Sequence, residues 1–245
     1  MSRSLRWPRL VIVTLIAVIG IAGFGSLGIW QVNRLHWKLD LIARVDSRIH
    51  ADPVPAPGPA DWPDLTAGNA EYRRVELHGT FLNQDEVQIY TPSDWGPGYW
   101  VLTPLQRDDG TIVMINRGVV PEAFRDPATR PAPEGEQTVI GLLRISESHG
   151  WLFSRQSDPA ARTWYRRDIG SITQALGLAD AAPYFVDQEL TDPQGWPRGG
   201  RTVVSFRNSH LSYALTWFAL TALVLGAWVL VVRSELRRDD RREEP

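Results

Sequence analysis

The 245-residue sequence contains no cysteine. That excludes disulfides, thiol catalysis, cysteine-ligated zinc and Cys-X-X-Cys metal handling, and it suits an oxidising compartment without requiring one. A basic excess is missing too: 26 Lys and Arg stand against 28 Asp and Glu, for a net charge of -2. Nothing in the charge therefore points to nucleic acid. H-E-x-x-H, G-x-S-x-G and the Walker lysine motif are all absent. The five histidines, His36, His50, His78, His149 and His210, have no metal-ligand spacing. Asp108-Asp109 reads as a turn before it reads as a catalytic pair. A membrane-anchored enzyme with a site assembled across the fold has no positive support, and there is no internal repeat.

What is present is two long uncharged runs. The mean hydropathy of -0.21 and a charged fraction of 22% resemble a soluble chain only because a polar middle dilutes these runs. Leu10 to Val32 follows Arg3, Arg6 and Arg9, and it is longer than a signal-peptide core of about 7–15 residues. It is expected to be a retained anchor rather than a cleaved leader. Leu211 to Val232 is 22 residues, enough to cross about 30 Å of hydrocarbon at about 1.5 Å per helical residue. Arg3, Arg6 and Arg9 before the first span and Arg233, Arg237, Arg238, Arg241 and Arg242 after the second place both termini inside. Arg34, Lys38, Arg44 and Arg48 oppose that orientation, but a segment of about 175 residues translocates largely regardless of its charge.

One pattern is a decoy. Gly23-Phe24-Gly25-Ser26-Leu27-Gly28 fits G-x-G-x-x-G, which binds dinucleotides only between a strand and a helix N-terminus. Inside a span, small residues instead let helices approach, and Ala22 and Ser26 have the small-xxx-small spacing.

Beyond the first span, Leu35, Leu39, Ile42, Val45 and Ile49 keep helical spacing, and Trp30 and Trp37 share one face at an interfacial depth. Asp52 to Pro59 has too many prolines for helix and predicts a semi-rigid spacer. From Tyr72 the period becomes that of strands: Arg73 to Phe81, Val87 to Tyr90, Tyr99 to Leu105, Thr111 to Asn116, Thr138 to Ile145, Tyr184 to Asp187 and Arg201 to Phe206. Asp109-Gly110 predicts a hairpin, and Ser171 to Leu176 a short helix ending at Gly177. Arg73-Arg74 and Arg166-Arg167 each offer an anion-binding cation, but on a strand one of each pair ordinarily faces water. Asn116-Arg117-Gly118 predicts a strand end with a tight reversal, where Arg117 serves recognition or pairs with carbonyls or a carboxylate.

The expected organisation is a cytoplasmic N-terminus over 1–9, a transmembrane helix over 10–32 and a helical extension with Pro-rich linker over 33–60. A β-rich extracytoplasmic domain over 61–209, a second transmembrane helix over 210–232 and a charged cytoplasmic tail over 233–245 complete it. The fold class is thus a membrane protein of α+β type: two transmembrane helices flanking a mostly antiparallel-β extracytoplasmic domain.

At the entry to the second span, His210, Ala214, Trp217, Thr221 and Trp228 return to one helical stripe. Two readings fit. An imidazole above two indoles at a membrane boundary offers a place for a flat ligand; equally, His, Trp and Tyr gather at headgroup level because they are amphipathic.

The motifs in order resemble the Surfeit-locus cytochrome oxidase assembly family. They are Leu27-Gly28-Ile29-Trp30-Gln31 with Arg34 and Trp37-Lys38, then Tyr72-Arg73-Arg74-Val75 with Leu77, Gly79 and Phe81. Gly98-Tyr99, Thr103-Pro104-Leu105, Asn116-Arg117-Gly118 and Val120-Pro121 follow, and Asn208, His210-Leu211, Tyr213-Ala214 and Thr216-Trp217-Phe218 close the series. The resemblance implies an assembly factor rather than an enzyme, binding haem a for insertion into subunit I of an aa3-type cytochrome c oxidase. By it His210 is the haem-iron ligand. Trp217 is assigned to the macrocycle, and Tyr213 and Arg207 to its propionates. The implied partners are oxidase subunit I, haem A synthase, membrane lipid and a possible second copy of the chain. The implied location is a bacterial inner membrane, with the central domain periplasmic and no nucleic-acid role. A haem-free scaffold for assembly intermediates is the alternative.

Overall fold

The computed structural model describes residues 6–148, 157–158, 163–190, 192, 194–200, 202 and 208–240. It divides into two compact units, a helical unit of residues 1–43 with 205–245, and a sheet unit of residues 44–204.

In the helical unit the absence of proline after Pro8 and the unbroken apolar spacing carry one helix, α1, from Arg6 to Ile49. At about 1.5 Å per residue its 44 residues measure about 66 Å, longer than a bilayer core, so the extension after the first apolar run is a continuation of the same helix. The second long helix, α4, runs His210–Asp240. Both are long and apolar enough to cross a membrane. Their apolar windows are 6% and 0% buried, so these are not core helices of a soluble domain; Ile16, Ile19, Leu215, Leu223 and Leu230 face outward. Trp30 and Trp37 are likewise exposed, with the Arg34 guanidinium 3.8 Å from the Trp37 ring.

In the sheet unit, alternation of apolar and polar residues generates β2 (Arg74–Phe81), β3 (Val87–Ser93), β4 (Gly96–Gln106), β5 (Ile112–Pro121), β6 (Glu136–Ile145) and β7 (Ala181–Gln188), with a two-residue β1 (Val54–Pro55). The sheet order is β1-β2-β6-β7-β5-β4-β3. Because Thr80 and Phe81 of β2 also pair with Gln106 and Leu105 of β4, five strands close into a barrel, with β3 appended to β4 and β1 to β2. Pairings are antiparallel except β5–β7 and β1–β2.

Val75, Leu77, Leu105, Val113, Ile115, Val139, Leu143, Tyr184 and Val186 form one core cluster. On the opposite face of β4, β5 and β7, Leu102, Met114 and Phe185 pack with Ile89, Trp164 and two residues of α3 (Ile169–Leu176), Ile169 and Ile172. Strands covered on both faces read as continuous apolar runs, as Ile112 to Ile115 at the start of β5 do. α3 is capped by the Asp168 side chain at its start and by Gly177 at φ +69° at its end, and a four-residue helix, α2, spans Ala67–Ala70.

Three expectations change. The Pro-rich stretch is not a free spacer: Val54 and Pro55 pair with Val75 and Glu76, and the Pro57 carbonyl accepts from the Tyr184 hydroxyl at 2.8 Å and the Trp62 indole at 3.2 Å. Proline is tolerated there because an edge strand needs donors on one side only. Secondly, β5 does not end at Asn116. Val101 faces Gly118 while Leu102 faces Asn116, so Arg117 is the extra residue of a β-bulge and the strand continues to Pro121. Gly118, at φ +126°, lies against the Arg198 backbone so closely that a Cβ would collide with its carbonyl. Thirdly, Ala22 and Ser26 lie on the exposed side of α1, and no atom lies within 4 Å of a Cβ built at Gly23. A last strand predicted over Arg201 to Phe206 falls almost wholly outside the described residues.

Candidate functional site

Helical periodicity dictates which side chains of the two apolar helices can meet. On α1, Thr14, Ala17, Gly20, Phe24, Gly28 and Gln31 recur at steps of three and four. On α4, the stripe of His210, Ala214, Trp217, Thr221 and Trp228 is less exposed than most of the residues between. These faces pack antiparallel. Trp228 Nε1 donates to Thr14 Oγ1 at 3.1 Å, and Gly20 lies against Val224. Phe24 stacks on Trp217 with centroids 5.7 Å apart and an interplanar angle of 23°. A Cβ on Gly28 would sit 2.6 Å from the Phe218 ring. The small residues that allow the approach are therefore Ala17, Gly20 and Gly28.

At one end of this ladder, His210 Nδ1 lies 2.7 Å from Gln31 Oε1. Gln31 is 8% exposed, and His210 is half-buried. With a carbonyl oxygen as partner, Nδ1 is the N–H donor, and in the neutral ring Nε2 then carries the lone pair. A metal-binding imidazole characteristically has its second nitrogen tied in this way, which fixes tautomer and orientation. The donor set thus fits axial ligation of a haem iron by one neutral histidine. Among the described residues no group of three or more His, Asp or Glu could hold a metal ion by itself.

The other expected site residues are distributed unevenly. Trp217 is on the same face as His210, but its ring rests on Phe24. Tyr213 lies off that face and is 55% exposed. Arg207 is outside the described residues. Sequence reasoning missed Gln31 as the partner of His210; its signal was a lone amide in an otherwise apolar run.

The sheet unit contains a polar cluster that sequence reasoning also missed. Asp187, 6% exposed in β7, accepts from Asn116 Nδ2 at 2.7 Å, Arg144 at 2.9 Å, Arg167 at 3.4 Å and Thr202 Oγ1 at 2.8 Å. Arg144 also reaches Glu71 at 2.7 Å, and Arg167 pairs with Glu147. The Arg144 guanidinium lies 4.8 Å from the Tyr72 ring and that of Arg167 4.9 Å from Phe185. Burial alone would push Arg144 down, but Asp187 and Glu71 outweigh it and hold the guanidinium above its ordinary value. Burial likewise raises Glu147, yet the hydrogen bond and charge of Arg167 prevail and hold its carboxyl below the usual range. Every partner is engaged, so the cluster organises strands and offers no free nucleophile or base. Asp109 accepts from the Thr111 amide at 3.0 Å and caps the β4–β5 hairpin. In the first of the two arginine pairs neither side chain simply faces water: Arg74 pairs with Glu189 at 2.7 Å, and Arg73 donates to the Asn69 carbonyl at 3.0 Å.

A profile of the SURF1 family matches residues 18–222. The chain belongs to the SURF1 family. The SURF1 match starts within α1 and ends within α4, and so takes in the whole sheet unit. Human Surfeit locus protein 1 is 35% identical over 231 residues, covering 86% of this chain and 74% of its own. A SURF1-like protein of Monosiga brevicollis is 34% identical over 244 residues, covering 93% and 90% respectively. A SURF1-like protein of Caenorhabditis elegans is 32% identical over 255 residues, covering 93% and 75%.

Proposed function

We propose that this chain is an assembly factor for an aa3-type cytochrome c oxidase, holding haem a as cargo through His210 and assisting its insertion into subunit I. The SURF1 family is known for cytochrome c oxidase assembly factors, which supports the broader role and a non-enzymatic one. The observation that carries the finer reading is the 2.7 Å contact of His210 Nδ1 with Gln31, which presents Nε2 as a ligand. His210 binds the iron, Gln31 sets its tautomer, and the surrounding apolar helices keep water from a farnesylated macrocycle. Trp217 borders the ring, while Tyr213 and Arg207 serve its propionates.

The two apolar helices anchor the chain in the membrane that houses the oxidase, with both termini on the inner side and the sheet unit on the outer side. In a bacterium that is the cell membrane, with the sheet unit periplasmic. Oxidase subunit I, haem A synthase and a second copy of the chain are the partners. A haem-free scaffold is the second reading, favoured by one observation: Trp217 is already packed on Phe24.

The test is an absorption spectrum of chain co-produced with haem A biosynthesis and purified in mild detergent. A reduced haem a band in the wild type that is lost in His210→Ala supports the carrier. A colourless wild type from membranes rich in haem A rejects it in favour of the scaffold, and a pigmented variant moves the ligand away from His210.

A further inference from the structure

Two arginines of the sheet unit compete for one carboxylate, and one of them loses. Glu86, 7% exposed, is taken bidentately by Arg130 at 2.8 and 2.5 Å and also accepts from Gln88 Nε2 at 3.2 Å. Arg117, thrust inward by the β5 bulge, is left 3.8 Å from the same group with its side chain only 11% exposed. Among the described residues it makes no hydrogen bond, and its guanidinium lies 5.6 Å from the Phe81 ring. A guanidinium carries five donors, so a nearly buried one whose carboxylate lies at 3.8 Å, beyond hydrogen-bond reach, has donors to spare. Desolvation accordingly pushes Arg117 below its ordinary value, with Glu86 opposing the shift and Arg130 adding to it.

Arg117 opens onto a pocket of about 310 Å³, at the small end for ligand sites. Phe81, Pro131, Pro133 and Trp196 supply apolar walls. Trp196 is itself held rigidly, stacked on Phe124 at 5.5 Å and edge-on to Trp95 at 5.0 Å. Among the described lining residues the one acid, Asp192, is exposed and accepts from the Gln194 amide at 2.8 Å. We infer that this pocket binds an organic monocarboxylate with an apolar body about one aromatic ring in size, its carboxylate on Arg117 and its body between Phe81 and Trp196. A carboxylate matches the planar fork of arginine, and an apolar wall on either side raises the strength of that pair. The site is independent of the haem reading, because it lies wholly within the sheet unit.

The experiment is saturation-transfer NMR on the full chain in mild detergent, with 3-phenylpropionate as probe and 3-phenylpropionamide as the uncharged control. Two variants accompany it. Arg117→Gln removes the cation, and Ala132→Trp plugs the pocket from an exposed position while leaving the Arg117–Glu86 pair intact. The expected result is acid binding near about 1 mM, weakened at least about tenfold in both variants, with no transfer to the amide. Should Arg117→Gln fail to fold, Ala132→Trp decides alone. Absence of acid binding to the wild type, equal binding of the amide, or undiminished binding in a folded variant overturns the site.

Discussion

Gln31 Oε1 accepts from His210 Nδ1 at 2.7 Å, a hydrogen bond between residues 179 positions apart in sequence. It makes an amide in the first apolar helix the positioning residue for the imidazole of the second. Replacing Gln31 by the similarly sized Leu frees Nδ1 and unsettles the tautomer. On the proposed haem-carrier role, Gln31→Leu is therefore expected to retain haem a about 10–100-fold less tightly than wild type, with the helix pair intact. Haem a titration into the detergent-solubilised variant, read at the reduced band, checks this. Unchanged affinity would assign Gln31 to packing alone.

Gly28 is expected to be intolerant for a steric reason, since an added Cβ meets the Phe218 ring at 2.6–2.8 Å. Gly28→Ala should weaken the helix pair by about 1–3 kcal/mol, the ordinary cost of overpacking. Gly28→Ala with Phe218→Leu should recover most of that loss. A double-mutant cycle on thermal melts in detergent measures the coupling, and additivity of the two changes would contradict the packing described.

Asp187 joins β5, β6 and β7 through Asn116 and Arg144, so its removal leaves a buried gap and reduces Arg144 to Glu71 and Arg167 to Glu147 as carboxylate partners. Asp187→Ala is expected to cost about 3–5 kcal/mol, as breaking a buried pair does. Urea denaturation followed by aromatic circular dichroism provides the readout; a loss below about 1 kcal/mol would show the pair to be effectively solvated.

Glu147 carries a pH signature of the same cluster. Its folded-state carboxyl is held below the ordinary 4.5, so it contributes stability above pH 4.5 that disappears as pH falls through the lower folded value. Glu147→Gln should therefore be less stable than wild type at neutral pH, and the gap should narrow on acidification through that window. Urea midpoints of both proteins across the acid limb test the sign, and a gap that widens on acidification would contradict it.

The strands were legible because their period of two is local: Val75, Leu77 and Gly79 alternate with polar residues wherever the chain goes. The end of α3 was legible for the same reason, since Gly177 takes up a left-handed conformation by itself. What stayed hidden depends on partners distant in sequence. Ala22 with Ser26 and Gly20 with Gly28 are equally good small-residue faces until α4 selects the second pair. The bulge at Arg117 exists only relative to the register of β4. Glu71, Arg144, Arg167 and Asp187 come together only once β6 pairs with β7, and the sole hint was an aspartate directly after Tyr184-Phe185-Val186. His210 on the stripe with Trp217 was visible from spacing, whereas the amide that aims it required the antiparallel helix pair.

The barrel also has a direction in time. Among the described residues β7 is the last strand, yet it lies between β6 and β5 and pairs with both. A nascent chain emerging from its N-terminal end can form the β3–β4–β5 meander and bring β2 to β6, but a gap one strand wide remains until residue 188 is available. Until then β5 and β6 keep the open edges that recruit foreign strands. Closure is therefore withheld until the chain has been delivered almost to its second apolar helix, and any truncation before Ala181 leaves a four-stranded, unclosed barrel with β5 and β6 open to foreign strands.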